Sequence, residues 1–286
     1  MKSLLQIINK RRRDTFFFDM FDVIGGNVLN TVKKEKTYYW KDSSVLIHAD
    51  TFEFLDKMDS ESMDMVFADP PYFLSNNGVS NKGGEMVSVN KGKWDEIGSL
   101  DEKHFFNRTW LKKVKRVLKP NGTIWVTGTL HNIYSVGMAL EQEGYKILNN
   151  VTWQKTNPAP NLSCRYFTHS TETVLWARKD EKKARHYYNY DLMREINGGK
   201  QMKDVWTGAL TKPSEKRFGK HPTQKPEYLL ERIILSSTQQ GDFILDPFVG
   251  SGTTGVVAKR LGRKFIGIDK EREYLDLAIK RLEAAK

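Results

Sequence analysis

The stretch FADPPYFLSN, residues 67–76, places an acidic residue, two prolines and an aromatic directly after a short apolar run. Met65, Val66, Phe67 and Ala68 read as a brief buried strand bounded by turn-formers. Pro70 and Pro71 fix φ and lack an N–H, so they end that strand and stiffen the backbone beyond it. Asp69 and Tyr72 are then held on a rigid stub at the strand's carboxyl end, the edge of an open α/β sheet where ligands bind. The same residues also fit an Asp–Pro turn with a surface tyrosine, and the stretch alone does not separate the two readings.

A second stretch with chemical content is DFILDPFVGSGTTGVVAKRLGRKFIGID, residues 242–269. Gly250, Gly252 and Gly255 satisfy G-x-G-x-x-G after a strand and at the start of a helix, and Asp269 follows Gly250 by 19 residues, near the spacing at which a carboxylate reaches a ribose hydroxyl. The glycines admit a ligand close to the backbone, and the helix start offers free N–H groups. This pattern points to an adenosine-containing cofactor. A nicotinamide dinucleotide is disfavoured, because only one strand and one helix follow the loop and no second mononucleotide half remains. Asp246 and Phe248 also stand where that fingerprint has apolar strand. Carboxylates for an ammonium and backbone N–H groups for a carboxylate suit a cofactor with an amino-acid end, and S-adenosylmethionine is such a molecule.

Taken together, DPPY (69–72) and DPFVGSGTT (246–254) resemble the motif pair of the amino-group DNA methyltransferases. The order of DPPY first, a basic middle segment and the glycine loop last is similar to the β group of N6-adenine enzymes. HPTQKP (221–226) resembles a further cofactor-side motif of that group, HADTFEFL (48–55) its adenine-contacting segment, and NVTWQKTNPAPN (150–161) its target-base strand. The likeness runs from about residue 38 to the end and is greatest to the second adenine methylases of GATC restriction systems. It implies catalysis by Asp69, Pro70, Pro71 and Tyr72. It also implies S-adenosylmethionine binding by Asp50, Thr51, Asp69, His221, Thr223, Lys225, Asp246, Phe248, Gly250, Ser251, Gly252, Thr253 and Asp269. A GATC site, acceptance of single-stranded DNA, a homodimer and a cognate restriction endonuclease are further expectations of the same likeness.

On that reading, the Asp69 carboxylate and the Pro70 carbonyl accept both hydrogens of adenine N6, drawing its lone pair out of the ring and aiming it at the methyl group. Tyr72 stacks on the base once it has left the duplex. Trp153 is a candidate second platform, although a tryptophan on a strand also reads as core. Cys164 in NLSCRYF lacks the context of a cytosine-C5 nucleophile and reads as structural. Methylation of cytosine N4 or of an RNA amine is the alternative chemistry, and an inactive nucleic-acid-binding module the alternative class. DNA contacts are expected from Lys155, Asn157 and His169 near the target-base strand. Further contacts are expected from Lys183, Arg185, Tyr188, Lys203, Trp206 and Arg217 in a basic, aromatic segment.

The elements that must position these groups alternate. Strands are expected at 44–50, 63–68, after the KPNG turn (119–122), near 145–153 and 171–178, and at 242–246 and 264–269. Helices are expected at 51–58, 110–118, 131–143, within LLERIILSS (229–237), at 253–262 and at 271–286. This is a doubly wound, mostly parallel α/β sheet of the S-adenosylmethionine-dependent methyltransferase type, with permuted motif order and an inserted recognition segment. The chain divides into an extension (1–36), a catalytic half (37–178), a DNA target-recognition segment (179–218) and a cofactor half (219–286). Residues 73–98 read as one long loop. An excess of 46 Lys plus Arg over 35 Asp plus Glu, +11 overall, favours a polyanion as partner. A single cysteine leaves no CxxC metal site, and no metal is expected. No apolar run is long enough to span a bilayer, so no membrane partner and a cytoplasmic location are expected.

Overall fold

The computed structural model describes residues 37–73, 79–82, 85–88, 99–179 and 184–285. The expected extension at 1–36, most of the 73–98 segment and Lys183 lie outside them. Nine strands form one sheet in the order β1-β2-β11-β10-β3-β6-β8-β7-β9. These are β1 (Thr37–Lys41), β2 (Ser44–His48), β3 (Met63–Ala68), β6 (Leu118–Gly128), β7 (Tyr145–Lys155), β8 (Thr171–Lys179), β9 (Val205–Gly208), β10 (Phe243–Asp246) and β11 (Lys264–Asp269). β4 (Val79–Lys82) and β5 (Glu85–Ser88) pair antiparallel in a separate two-stranded sheet within the segment read as loop.

The five strands β2, β11, β10, β3 and β6 are mutually parallel, whereas β1 and β8 run antiparallel to their neighbours. The parallel strands are buried on both faces, which is why they read as short apolar runs. Alternate residues serve two cores. Val45, Ile47, Val66 and Ala68 face α1 (Thr51–Lys57), α2 (Leu100–Val117) and α3 (Ile133–Gln142). Leu46, Met65 and Phe67 face α5 (Glu227–Ser237), α6 (Thr253–Arg260) and α7 (Arg272–Ala284).

Helix α2 begins ten residues before its expected start, at a capping box in which Ser99 and Glu102 satisfy each other's backbone N–H groups. The KPNG turn is present as a wide bulge at the start of β6: Met63 pairs with Leu118, but Met65 pairs with Thr123. The segment expected to be an inserted recognition element contributes α4 (Tyr190–Ile196) and β9 to the main sheet and its second core. Among the described residues no helix is long and apolar enough to cross a membrane.

Candidate active site

Four acidic residues follow the strand order. Asp50, Asp269, Asp246 and Asp69 stand at or just past the carboxyl ends of β2, β11, β10 and β3, which are neighbours in that order. Parallel pairing therefore brings the two motifs, far apart in sequence, to one edge of the sheet. A cleft there, with a void of about 1110 Å³ including its open mouth, is lined by all four carboxylates, by Pro70, Pro71 and Tyr72, and by the glycine loop.

Asp69 is held by three donors. Its Oδ1 accepts from the Tyr72 hydroxyl at 2.6 Å and the Thr127 hydroxyl at 2.5 Å, and its Oδ2 from Lys225 Nζ at 2.6 Å. Lys225 also donates to the Tyr72 hydroxyl at 3.0 Å and lies 3.7 Å from Glu172, which Lys155 holds at 2.7 Å from the other side. Lysines and carboxylates alternate along this nearly buried row. Burial pulls the Lys225 ammonium down, but Asp69 and Glu172 outweigh it and hold the group above its ordinary value. Burial, reinforced by Asp69 and Glu172, pushes the Tyr72 hydroxyl well up, so it remains a donor at neutral pH.

Lys225 lines the cleft and joins its two sides. Its backbone carbonyl accepts from the Thr253 hydroxyl at 3.2 Å and so supports the glycine loop, and its ammonium donates to the Asp69 carboxylate. Tyr72 is buried, with its ring beneath the Lys225 ammonium at 5.3 Å, and is locked through its hydroxyl.

On the other side of the cleft, Asp246 accepts from Thr254 at 2.6 Å and from the Phe248 amide at 3.0 Å. Its burial outweighs both bonds and pushes the carboxyl up to about 7. Asp269 accepts the Gly250 and Glu271 amides, each at 2.9 Å, and burial raises it too. Gly252 sits at φ +74, and a Cβ there would lie 2.7 Å from Ala278 Cβ, so only glycine lets α7 close on the loop. A Cβ on Gly250, at φ +46, would press on the His221 ring at 3.0 Å.

His221 packs edge-on against Tyr274 at 4.4 Å, and Thr223 caps its Nδ1 side. Asp50 caps α1 through the Phe52 and Glu53 amides, and Thr51 donates to the Pro247 carbonyl at 2.5 Å. Phe248 packs edge-on against Trp110 at 5.5 Å. Each of these cofactor-side residues lines the cleft except Gly252, which packs behind it.

The expected DNA-contacting residues are not brought together. Trp153 is buried and donates to the Tyr228 hydroxyl at 2.7 Å, and Trp206 is buried with its Nε1 on the Lys203 carbonyl, so neither is a stacking platform. Arg185 and Tyr188 lie at the opposite edge of the sheet: the Arg185 amide donates to Asn121 in the β6 bulge, and Tyr188 packs on Trp176. Lys155 pairs with Glu172, Asn157 accepts the Leu210 amide at 2.9 Å, Lys203 is exposed, and His169 and Arg217 are exposed near the catalytic edge.

Thr127, Glu172 and Arg281 carry no local sequence signal for the places they occupy. Arg281, in what reads as a charged amphipathic helix, is buried and donates to the Ser251 carbonyl at 2.8 Å and the Thr253 hydroxyl at 2.8 Å, with Glu227 at 3.2 Å behind it.

Comparison with known proteins agrees with this geometry. A family described as DNA methylase, the N6/N4 group, matches residues 63–280. The chain is similar to the type II methyltransferase M2.DpnII of Streptococcus pneumoniae, with 75% identity over 259 residues, 91% of this chain and 95% of that one. It is also similar to the type II methyltransferase M2.LlaDCHI of Lactococcus lactis subsp. cremoris, with 74% identity over 257 residues, 90% and 94% of the two chains. The fold resembles the crystal structure of the M1.HpyAVI–SAM complex, with a TM-score of 0.62 and 29% identity, covering 84% of this chain and 98% of that one.

Proposed function

Because the chain belongs to the N6/N4 family of DNA methylases, we propose that it transfers the methyl group of S-adenosylmethionine to adenine N6 in DNA. The observation that carries amine methylation is the Asp69 carboxylate, fixed at the end of β3 in the same cleft as Asp246 and the glycine loop, and the motif run similar to that of N6-adenine enzymes favours adenine over cytosine. S-adenosylmethionine supplies an electrophilic methyl group on a sulfonium. The residues fit it: a buried carboxylate at Asp246 for an ammonium, the Asp269 carboxylate for a ribose, and a glycine loop without side chains in the way.

Asp69 and the Pro70 carbonyl accept the two amine hydrogens of the flipped base and orient its lone pair. Thr127 and Tyr72 keep the carboxylate from rotating while it does so. Lys225 must give up part of its bond to Asp69 as the amine arrives, and Glu172 is the nearby carboxylate that then holds the ammonium. Positive charge developing on the amine is met by a carboxylate released from its counterion.

The run of motifs shared with the second methylases of GATC systems supports GATC as the site, single-stranded as well as duplex substrate, and a cognate endonuclease in the same cytoplasm. A homodimer fits the apolar surface left exposed at Phe105, Tyr134 and Met138 on α2 and α3. The test is incubation with methyl-labelled cofactor and GATC or scrambled DNA, single- and double-stranded, followed by digestion to nucleosides. Label is expected in N6-methyladenine from GATC DNA; label in N4-methylcytosine, or in RNA alone, would overturn the assignment.

Arg281→Met is expected to raise the Kd for S-adenosylmethionine about tenfold, equivalent to ~1.4 kcal/mol. The substitution also leaves Glu227 half-paired, at a cost to stability of about 3 kcal/mol. Calorimetric titration and thermal melting measure the two effects, and an affinity within twofold of wild type would show that the loop does not depend on α7.

A further inference from the structure

The sheet's strand directions decide which surface DNA meets. β7 runs parallel to β3 and β6, and β8 runs antiparallel to them, so residues 156–170 emerge at the catalytic edge and β8 ends at the opposite one, where residues 184–190 lie. Both stems of the 156–170 loop touch the active site: Lys155 and Glu172 form an ion pair at 2.7 Å, and Glu172 lies 3.7 Å from the Lys225 that holds Asp69. The far end of β8 is roughly 25 Å away at about 3.3 Å per residue. There Lys179 pairs with Glu61, just ahead of β3.

The loop carries unusual exposure. Phe167 is 95% exposed, Tyr166 60% and Leu162 41%, within a few residues of one another and of Arg165. Residues 156–170 contain no acidic residue. Asn161 shapes the loop, donating to the Tyr166 carbonyl and accepting from the Ser163 amide at 3.0 Å and hydroxyl at 2.8 Å, so the aromatics stand on a formed scaffold. Beside it runs the segment after β9, joined to it where Asn157 accepts the Leu210 amide. That segment carries Lys212, Lys216, Arg217 and Lys220, and its one acid, Glu215, is turned inward to the Glu227 amide.

We propose that the 156–170 loop, through Leu162, Tyr166 and Phe167, is the element that contacts DNA bases beside the target, with the 209–220 segment gripping the phosphates. Aromatic faces next to cations, with no exposed carboxylate among them, suit a nucleic-acid strand and would repel neither its bases nor its backbone. Continuity with the Asp69 cleft fixes the register, since the loop's stems flank the pocket that the flipped base must enter. The basic and aromatic residues at 184–190 then have a structural role, bridging β6 and packing on Trp176. The assignment rests on DNA as substrate and not on which base is methylated.

Binding is therefore scored apart from methyl transfer, by fluorescence anisotropy with a GATC duplex and a random-sequence duplex. Tyr166→Ser combined with Phe167→Ser is expected to raise the Kd for DNA at least about fivefold, the low end for losing base stacking. The Kd for S-adenosylmethionine should stay within twofold. Arg185→Ala combined with Tyr188→Ala should leave DNA affinity within twofold. A loop variant that binds DNA as well as wild type overturns the proposal. As a check independent of folding, wild-type protein is photocrosslinked to DNA carrying 5-iododeoxyuridine beside the target adenine. Crosslinks are expected within 156–170, and crosslinks confined to 184–206 also overturn the proposal.

Discussion

Asp69→Asn is expected to lower single-turnover methyl transfer by about 10²–10³-fold, the range for losing one preorganised electrostatic contact to a transition state. The substitution preserves shape and keeps one oxygen for the hydroxyls of Tyr72 and Thr127. It removes the charge that faces the developing ammonium, and it turns an amide N–H₂ toward either the lysine or the substrate amine. Lys225, buried beside it, keeps Glu172 at 3.7 Å as its remaining carboxylate, with neutral acceptors at the Tyr72 hydroxyl and the Thr223 carbonyl. Cofactor binding should change by less than about threefold, because Asp246, Asp269 and the glycine loop are untouched. Equilibrium titration with S-adenosylmethionine and a rapid-quench transfer assay separate the two effects. More than a tenth of wild-type transfer in Asp69→Asn would refute the acceptor role. Lys225→Met provides the internal comparison: it frees the carboxylate but leaves the Tyr72 hydroxyl and Asp69 with fewer donors, so its loss should be smaller than that of Asp69→Asn.

The two motifs were legible because each is a local run whose chemistry depends on neighbours in the chain. Proline after Asp69 and glycine after Phe248 dictate backbone, whatever surrounds them. Thr127 and Glu172 were not legible, because their places depend on strand order and direction. Thr127 meets Asp69 across 58 residues, and Lys225 meets it across 156. An alternating or continuous apolar run buries equally well whichever way its strand points, so nothing in residues 171–178 announces that β8 is antiparallel. That single reversal sends Arg185 and Tyr188 to the far edge and brings Tyr166 and Phe167 to the near one. Arg281 was hidden for a related reason: charge in an amphipathic helix reads as solvent-facing until a buried partner such as Glu227 is known.

The affinity for S-adenosylmethionine is expected to rise with pH by close to tenfold per unit below about 7, to flatten above it, and to fall again as the cofactor's own α-ammonium titrates at about 8. Asp246 is the cause. Its carboxyl titrates near 7 in the ligand-free fold because burial outweighs the bonds from Thr254 and Phe248, whereas an unfolded chain ionises it near its ordinary value of about 3.9. A folded value above the unfolded one means that its contribution to stability is complete below about 4 and is lost as pH rises through about 7. Asp269, Glu215, Glu231 and Asp242 are shifted in the same direction by burial, so the ligand-free protein should melt at lower temperature at pH 8 than at pH 5.5. A bound ammonium reverses the balance at Asp246 by stabilising its ionised form, so binding below pH 7 must release a proton. Asp246→Asn should abolish the slope and bind, at every pH, about as weakly as wild type does near pH 5.5. A nucleoside lacking the amino-acid end, such as methylthioadenosine, should show no slope with wild-type protein. Isothermal titration in two buffers of different ionisation heat reads the proton directly. A pH-independent Kd for S-adenosylmethionine with no proton release would mean that the ammonium is not held at Asp246, leaving that buried carboxylate without the counterion its position calls for.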